Sequence, residues 1–324
     1  MNNFYLAPLE GITTRIYRNA LHDFFGEGIQ KYFTPFLVVH EKRAMSNKEI
    51  KEILPENNKG IKLIPQILAD DAEGFLRIDA ALYDFGYREV NLNLGCPSKT
   101  VAGKGRGSGF LGRVCRLDDF LSEIYEKSRC DISIKARIGE KSPDEFKDLL
   151  EIFNKYPVKE LIIHPRIRYE YYKGTPHRDV FYEAAAKSLV PLSYNGDIQG
   201  QADIDEVVKG SGGKLDSVMI GRGMLRDPSL IRQLAGGKHY NKEEIKEFLK
   251  RLRMDYSQEL SGETPVLQKL KEIWSYMAAD YEKSDTLAQS QSVTCDQSQS
   301  VKDILKCRSL AEYKMLEMKI LSSI

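Results

Sequence analysis

Short apolar runs recur along the first two thirds of the chain, and each has the length and the bounding turn residues of a β-strand. Amphipathic stretches with helical periodicity lie between most of these runs. The eight runs are Phe4–Ala7, Ile29–Val39, Ile61–Leu68, Glu89–Leu94, Ile132–Ala136, Glu160–His164, Pro191–Tyr194 and Ser217–Ile220. Pro35 interrupts the second run, so the pattern leaves its boundaries open. This alternation predicts a parallel sheet built from βα units.

Three of the intervening helices carry recognisable start signals. Asp70 and Asp71 can cap a helix that is predicted to end at Gly86. Ser142 is followed by a proline and predicts a second helix start, and the pair Asp118–Asp119 predicts a third. Eight strands alternating with helices over about 235 residues predict a (βα)8 TIM barrel, whose typical size is about 250 residues. A doubly wound open sheet is the alternative.

The pattern changes near the end of the chain, where strand-like runs stop. Three helices are predicted there, after Asn241, through Val266–Met277 and across Val301–Ile320. The Ser- and Gln-rich stretch Ser284–Ser300 is predicted to form a loop or a weak helix. The sequence therefore predicts an α/β barrel domain over residues 1–238 and a small helical domain over residues 239–324.

Composition narrows the classes of function. The 324 residues are 42% hydrophobic and 29% charged, as in soluble globular proteins. The net charge is +1, so any nucleic-acid surface must be a local patch. The five cysteines form no C-x-x-C pair, which argues against a disulfide framework and a structural metal site. No stretch approaches the roughly 20 apolar residues of a membrane span. We therefore expect a cytoplasmic protein without a membrane or metal partner.

The end of the fourth strand carries a candidate catalytic group. Asn91 and Asn93 alternate with leucines and point to one face, and Cys96 follows at the mouth of the predicted barrel. An ordinary thiol, with a pKa of about 8.5, is mostly protonated at neutral pH and can act as an acid. The sequence pairs it with no activating base, which argues against a nucleophile. A buried inert cysteine is the alternative.

Polar side chains also mark the ends of the third, fifth and sixth strands. Gln66 stands in an apolar strand and must find hydrogen bonds there. Lys135 and Arg137 share one face of the fifth strand, which is costly unless an anion meets them. His164 and Arg166 follow an isoleucine run. A satisfied core amide and a core histidine are the alternatives for Gln66 and His164.

Four loops suggest an anionic ligand and a polymer. Lys99–Gly109 is basic and rich in glycine, and Tyr169–Gly174 interleaves aromatic and charged residues, a combination that holds single-stranded RNA. The turns Asn195–Asp197 and Gly221–Arg222 follow the seventh and eighth strands, where barrels commonly bind phosphate. Both turns together predict a phosphorylated ligand.

Taken in order, these segments resemble the tRNA-dihydrouridine synthase family. The segments that carry the resemblance are APLEGIT (7–13), IPQIL (64–68), NLNLGCPSKTVAGKGRGSGFL (91–111), IKARIG (134–139), IHPRI (163–167), NGDI (195–198) and IGRGML (220–225). Residues 269–276 are similar to an RNA-facing helix of the bacterial branch that modifies U16. The stretch around Cys96 is the most specific of these segments.

The resemblance implies roles for the matching residues. FMN would be held by Pro8, Leu9, Glu10, Gln66, Lys135, His164, Asn195, Gly196, Asp197, Gly221 and Arg222. Cys96 would protonate C5 of the uracil. The residues facing the substrate or the tRNA would be Asn93, Arg166, Tyr172, Lys269, Lys271 and Tyr276, and Arg137 is assigned to the same group from its strand face.

The implied reaction reduces the C5=C6 bond of a uridine in tRNA to dihydrouridine, with hydride from FMN that NADPH, or alternatively NADH, recharges. Two other classes stay open at this point. One is another FMN-dependent barrel oxidoreductase that acts on a small molecule, and tRNA binding at moderate salt would argue against it. The other is a catalytically silent RNA-binding barrel, and flavin absorbance of the purified protein would argue against that. We expect a monomer.

Overall fold

A computed structural model describes residues 3–287 and 295–322 of the chain. The chain divides into two compact units. The first contains the N-terminal segment up to Glu10 together with Gly28–Gly221. The second contains Gly11–Glu27 together with the chain from Arg222 onward. The units thus divide at Gly221 rather than after residue 238, and the second unit also takes a helix from near the N-terminus.

Within the described residues, ten short strands form one sheet in the first unit. They are β1 (Phe4–Leu6), β2 (Ile29–Phe33), β3 (Leu37–Val38), β4 (Leu63–Ile64), β5 (Gln66–Leu68), β6 (Glu89–Leu94), β7 (Asp131–Arg137), β8 (Leu161–His164), β9 (Leu192–Tyr194) and β10 (Ser217–Ile220). Each of the eight apolar runs is confirmed as a strand. Pro35 and Pro65 lie in the breaks that divide the second and third runs in two, because proline cannot donate to the ladder.

The sheet closes on itself. Its order is β3-β5-β6-β7-β8-β9-β10-β1-β2-β4, and every pairing is parallel. The second run pairs with the third through both of its halves, since β2 lies beside β4 and β3 lies beside β5. The order begins with β3 and β5 and ends with β2 and β4, and both of these pairs join the second run to the third, so the sheet forms a closed ring. The predicted TIM barrel is confirmed, and the open doubly wound sheet is excluded.

Helices follow the strands and continue beyond the barrel. They are α1 (Arg15–Phe25), α2 (Asn47–Ile53), α3 (Ala72–Asp84), α4 (Lys99–Ala102), α5 (Val114–Lys127), α6 (Phe146–Phe153), α7 (Arg178–Lys187), α8 (Gln201–Gly210), α9 (Arg222–Arg226), α10 (Leu230–Leu234), α11 (Lys242–Glu259), α12 (Glu263–Leu287), α13 (Cys295–Lys306) and α14 (Leu310–Ser322). In the part of the chain that the structure describes, no helix is long and apolar enough to cross a membrane.

Several predicted helix starts are confirmed by capping hydrogen bonds. The Asp71 carboxylate accepts from the N–H of Gly74 at the start of α3, and Asn241 forms a capping box at the start of α11. Ser142 caps a short 3-10 turn, Pro143–Glu145, that leads into α6. These caps satisfy backbone donors that a helix start leaves without partners.

Two helix predictions were wrong. The helix expected to begin at Asp118 begins at Val114, and Asp118 lies inside it, where its carboxylate binds Lys155 at 2.6 Å. The helix expected across Val301–Ile320 is two helices, α13 and α14. The stretch Ser284–Ser300, predicted to form a loop or a weak helix, overlaps the end of α12 and the start of α13, and its residues 288–294 lie outside the described residues.

The second unit has its own core. The ring of Phe248 on α11 packs against Tyr17 and Phe25 of α1, with ring centroids 6.0 and 5.3 Å apart. Trp274 on α12 donates to the Tyr313 hydroxyl of α14 at 2.8 Å, deep in the same unit. These contacts explain why α1 belongs with the C-terminal helices although it follows the first barrel strand in sequence.

Candidate active site

The turn that holds Cys96 is fixed by hydrogen bonds on both sides. The Asn93 side-chain oxygen accepts from the backbone N–H groups of Gly95 at 3.0 Å and Cys96 at 2.9 Å. Ser108 binds the Cys96 carbonyl oxygen through both its hydroxyl and its backbone N–H. The position of the thiol at the end of β6 is therefore set by the chain itself.

A row of buried side chains continues from this turn across three strands. Asn93 donates to Gln66 at 2.6 Å, Gln66 donates to Asn91 at 2.8 Å, and Asn91 donates to Ser133 at 3.0 Å. Gln66 is 1% exposed, and each end of its amide binds a neighbouring asparagine. Gln66 thus has the arrangement of a satisfied core amide, and its role toward FMN stays a prediction.

The Cys96 thiol is half-buried and stays protonated near neutral pH. Burial raises its pKa above the ordinary value, and the charge of Glu10 acts in the same direction. The backbone N–H of Ser98 and the charges of Arg137 and Lys135 partly oppose this rise. A thiol whose pKa is raised suits a proton donor better than a nucleophile.

Lys135 is a desolvated cation beside this turn. It lies opposite Asn93 in the register of β6 and β7. Burial, followed by the nearby charge of Arg137, lowers the pKa of the Lys135 ammonium to about 7. Among the described residues, none accepts a hydrogen bond or forms an ion pair with it. An unmatched cation of this kind is stabilised by an anionic ligand.

Arg137 is 1% exposed and ties two loops together. Its guanidinium donates to the backbone carbonyls of Gly95 at 2.9 Å, Ile167 at 2.9 Å and Tyr171 at 2.6 Å, and it lies 5.5 Å from the centre of the Tyr172 ring. Burial lowers its pKa to about 10. The structure thus uses Arg137 to join the cysteine turn to the loop after β8, and its predicted contact with substrate stays untested.

Three polar residues meet at the ends of β8 and β9. Arg166 is fully buried, and its guanidinium forms a two-pronged ion pair with Asp197. It also lies 3.1 Å from Nε2 of His164, the last residue of β8. The sequence assigned His164 and Asp197 to the cofactor and Arg166 to the substrate, and the structure brings all three together.

The turns after the last two strands lie on adjacent strand ends, as predicted. The Asn195 backbone donates to Ile163 at 2.9 Å, and its side chain donates to the carbonyl of Met219 at 2.8 Å. A Cβ on Gly196 would stand 3.1 Å from the Tyr194 hydroxyl, so this turn has little room for a side chain. The first of the two predicted phosphate turns is therefore tightly packed.

The second turn approaches the first barrel strand. The Ala7 N–H donates to the carbonyl of Ile220 at 2.9 Å. A Cβ on Gly221 would lie 3.4 Å from Ala7 and 3.6 Å from Leu9. The segment Pro8–Glu10 thus runs beside Gly221, and Arg222 follows as the first residue of α9. The predicted cofactor segments that follow β1, β9 and β10 lie on neighbouring strands.

The exposed aromatic residues of the site lie on the loop after β8. Tyr169 and Tyr172 are 55% and 51% exposed, and the Arg168 guanidinium lies 5.0 Å from the Tyr169 ring. The Glu170 carboxylate accepts a hydrogen bond from the ring of His177 at 2.7 Å, which anchors the loop. The loop therefore presents rings to solvent from an ordered backbone.

The glycine-rich loop after β6 is anchored at Asp70 as well as at the Cys96 carbonyl. Arg106 binds the Asp70 carboxylate at 2.6 Å, and Arg116 binds the Asp70 carbonyl at 2.8 Å. Lys99 and Lys104 are exposed. The loop, which the sequence predicts to be mobile, includes the helix α4 and a 3-10 turn at Gly107–Gly109.

The predicted tRNA residues of the second unit are bound within the unit. Lys269 donates to the carbonyl of Gly11 at 2.7 Å and Lys271 to that of Cys307 at 2.6 Å. Tyr276 is half-buried. Their contacts with tRNA stay a prediction.

Sequence reasoning missed two positioning residues. Ser133 shares a strand face with Lys135, so the alternation along β7 could have found it. Ser108, by contrast, reaches the Cys96 carbonyl from twelve residues away through a loop, and no sequence pattern announces such a contact.

Comparison with known proteins agrees with this geometry. A probable tRNA-dihydrouridine synthase from Staphylococcus epidermidis is 29% identical over 268 residues, which cover 78% of this chain and 77% of that protein. The probable tRNA-dihydrouridine synthase 2 of Bacillus subtilis is 26% identical over 266 residues, covering 80% and 79%.

Solved structures match at the level of the fold. A 2-naphthoyl-CoA reductase complex has a TM-score of 0.54 at 10% identity and covers 73% of this chain and 50% of its own. Histamine dehydrogenase from Rhizobium sp. 4-9 has a TM-score of 0.53 at 11% identity and covers 78% and 48%. The family model of dihydrouridine synthases matches residues 5–311. The chain therefore belongs to the dihydrouridine synthase family, a family of flavin-dependent oxidoreductases.

Proposed function

We propose that this chain reduces a uridine of tRNA to 5,6-dihydrouridine, with FMN as its flavin, NADPH as the reductant and Cys96 as the proton donor. One observation carries the proposal. A thiol whose pKa is raised is held at the end of β6, and the unmatched cation Lys135 lies beside it. The matched relatives named as probable tRNA-dihydrouridine synthases support tRNA as the substrate.

The residues present fit FMN. Lys135 is desolvated and lacks an acidic partner among the described residues, so a negatively polarised ring edge would stabilise its charged form. The turns at Gly196 and Gly221 would hold the phosphate, with Arg222 adding charge. The segment Pro8–Glu10 and His164 would complete the binding site. When bound, FMN supplies the hydride that reaches C6 of the uracil, and NADPH restores it.

The chain's own residues then handle the proton and the charge. Cys96 gives its proton to C5 of the uracil, while Asn93 keeps the thiol in place through the turn it holds. Lys135 stabilises negative charge that develops during the reduction. Because a base in a folded tRNA must leave its stack to reach a barrel mouth, the target uridine is extruded at a cost of a few kcal/mol.

The loops around the mouth supply the tRNA contacts in this proposal. The exposed rings of Tyr169 and Tyr172 can stack on bases, and the exposed Lys99 and Lys104 can meet phosphates. We name U16 as the first position to test, because residues 269–276 resemble the branch that modifies it. Mapping of dihydrouridine in tRNA from a strain that lacks this protein, before and after the gene is restored, tests the position.

The test of the chemistry is Cys96→Ala. We expect the variant to retain bound FMN and NADPH oxidation but to form dihydrouridine about 100-fold or more slowly, which is the usual contribution of a general acid. Cys115→Ala is the matched control, because Cys115 is exposed and lies outside the turn. Undiminished dihydrouridine formation by the Cys96 variant would contradict the role assigned to the thiol.

A further inference from the structure

Arg166 has no hydrogen-bond donor left for RNA. A guanidinium carries five N–H groups. Nε donates to the Lys173 carbonyl at 3.1 Å, Nη1 donates to His164 and to Asp197 at 3.1 Å each, and Nη2 donates to the Gly174 carbonyl at 2.6 Å and to Asp197. The side chain is fully buried. All five donors thus end on acceptors of the chain itself.

The partner of this guanidinium has a strained backbone. Asp197 has a φ of 42°, in the left-handed region that non-glycine residues seldom adopt. It lies in the turn after β9, next to Gly196. Both carboxylate oxygens of Asp197 bind Arg166, so the ion pair holds the turn in a conformation that the backbone alone disfavours.

The same guanidinium sets the state of His164. An arginine can only donate, so Nε2 of His164 accepts its hydrogen bond and the ring carries its hydrogen on Nδ1. Arg166 therefore fixes two of the residues assigned to the cofactor, and it fixes the loop after β8 through the carbonyls of Lys173 and Gly174.

We propose that Arg166 is a positioning residue for the flavin phosphate turn and for the His164 tautomer, and not an RNA contact. The inference rests on the proposed function in one respect, namely that the Asn195–Asp197 turn receives the phosphate of FMN. It departs from the role that the family resemblance gives to this residue, which was contact with the substrate.

The first experiment compares Arg166→Met with Lys173→Met, an exposed cation on the same loop. For Arg166→Met we expect the dissociation constant of FMN to rise about 10-fold or more, the usual effect of losing buried hydrogen bonds to a charged group. The salt dependence of the KM for tRNA should not change, because no phosphate contact is removed. Lys173→Met should leave FMN affinity as it is.

A second variant keeps the test decisive if Arg166→Met folds poorly. Adding Asp197→Gly removes the carboxylate that Arg166 had bound, and glycine adopts a φ of 42° without strain. We therefore expect the double variant to regain most of the thermal stability that the single variant loses. If the role of Arg166 were general packing, the second change would not restore stability.

The third measurement needs neither flavin nor tRNA. In the flavin-free protein with ¹⁵N-labelled histidine, the His164 signals, assigned with His164→Gln, should show the Nδ1–H tautomer. In Arg166→Met, the Nε2–H form should become populated, since the donor that selects the other form is gone. An unchanged tautomer would overturn this part of the inference.

The outcomes separate this inference from the proposed function. A higher tRNA KM and a shallower salt dependence in Arg166→Met, with unchanged FMN affinity, would refute the positioning role and restore an RNA contact. A wild-type protein that binds no FMN or forms no dihydrouridine would refute the proposed function, whereas the tautomer measurement would still decide whether Arg166 orders His164.

Discussion

The row of amides behind Cys96 can be probed at Asn91, which is fully buried and two side chains away from the catalytic turn. Leucine has nearly the same shape as asparagine but forms no hydrogen bonds. In Asn91→Leu, Ser133 still binds the Val90 carbonyl, whereas the Gln66 amide loses its acceptor in the core. One lost hydrogen bond costs about 1 kcal/mol, and a buried donor without a partner costs about 1–3 kcal/mol. The free energy of unfolding should therefore fall by about 2–4 kcal/mol.

A double variant distinguishes this row from ordinary packing. Adding Gln66→Leu removes the donor that Asn91→Leu leaves without a partner, so the combined loss of stability should be at least about 1 kcal/mol smaller than the sum of the two single losses. The rate of dihydrouridine formation, by contrast, should not recover in the double variant. Asn93 then loses its acceptor in Gln66 and holds the Cys96 turn less firmly, so dihydrouridine formation per bound flavin should fall further.

Stability is measured by urea unfolding of the flavin-free protein. Activity is measured separately as single-turnover reduction of tRNA, with the flavin content determined for each variant. Gln201→Leu on α8 is the control, because its side-chain hydrogen bond is exposed. A loss below about 0.5 kcal/mol for Asn91→Leu, which is the range of ordinary surface substitutions, or strictly additive effects in the double variant, would refute the reasoning.

Three further predictions follow from individual contacts. Since burial lowers the pKa of Lys135 to about 7, well below that of an unfolded lysine, this residue binds fewer protons in the folded state than in the unfolded state above pH 7. The unfolding free energy of the flavin-free protein, measured relative to that of Lys135→Met, should therefore rise from pH 7 to about 10. Gly196→Ala should weaken FMN binding, measured by fluorescence titration, and Tyr194→Phe should relieve part of the effect, because the added Cβ meets the Tyr194 hydroxyl at 3.1 Å. Tyr313→Phe should cost about 1–3 kcal/mol, measured by hydrogen exchange of α14, because both hydrogen bonds of this hydroxyl, from Trp274 and to Glu317, are lost.

The barrel was predictable because its signals are local and repeated. Each strand run is short, apolar and bounded by turns, and the eight runs lie in the order that the closed sheet uses. The capping boxes at Ser142 and Asn241 are also local, since a cap needs residues only three positions apart. The break between α13 and α14 carries such a signal too, since the Ser309 hydroxyl accepts from the N–H of Glu312 three positions later, but the apolar pattern that continues across the break concealed it.

The positions of the candidate site residues were predictable, but their partners were not. Strand order alone places Asn195 and Gly221 on neighbouring strand ends. It does not show that Arg137 and Arg166 bind backbone carbonyls, because such contacts depend on the path of a loop. The same limit applies to α1, which directly follows the first barrel strand in sequence and yet packs against Phe248, more than 200 residues later.

Two lysines with desolvated ammonium groups in the first unit show why pairing, and not desolvation alone, separates structure from function. Lys31 is bound by Glu89 at 2.8 Å and Glu160 at 3.2 Å, and although burial opposes the charge, these carboxylates raise its pKa. Lys135 is also desolvated, but no carboxylate of the described residues meets it, and its pKa falls. A cation whose charge is already balanced contributes to folding, whereas an unbalanced cation gains free energy when an anion binds beside it. In the sequence, both are lysines on apolar strands. Only the structure shows that carboxylates bind Lys31 and that none of the described residues forms an ion pair with Lys135, which leaves Lys135 available to a ligand.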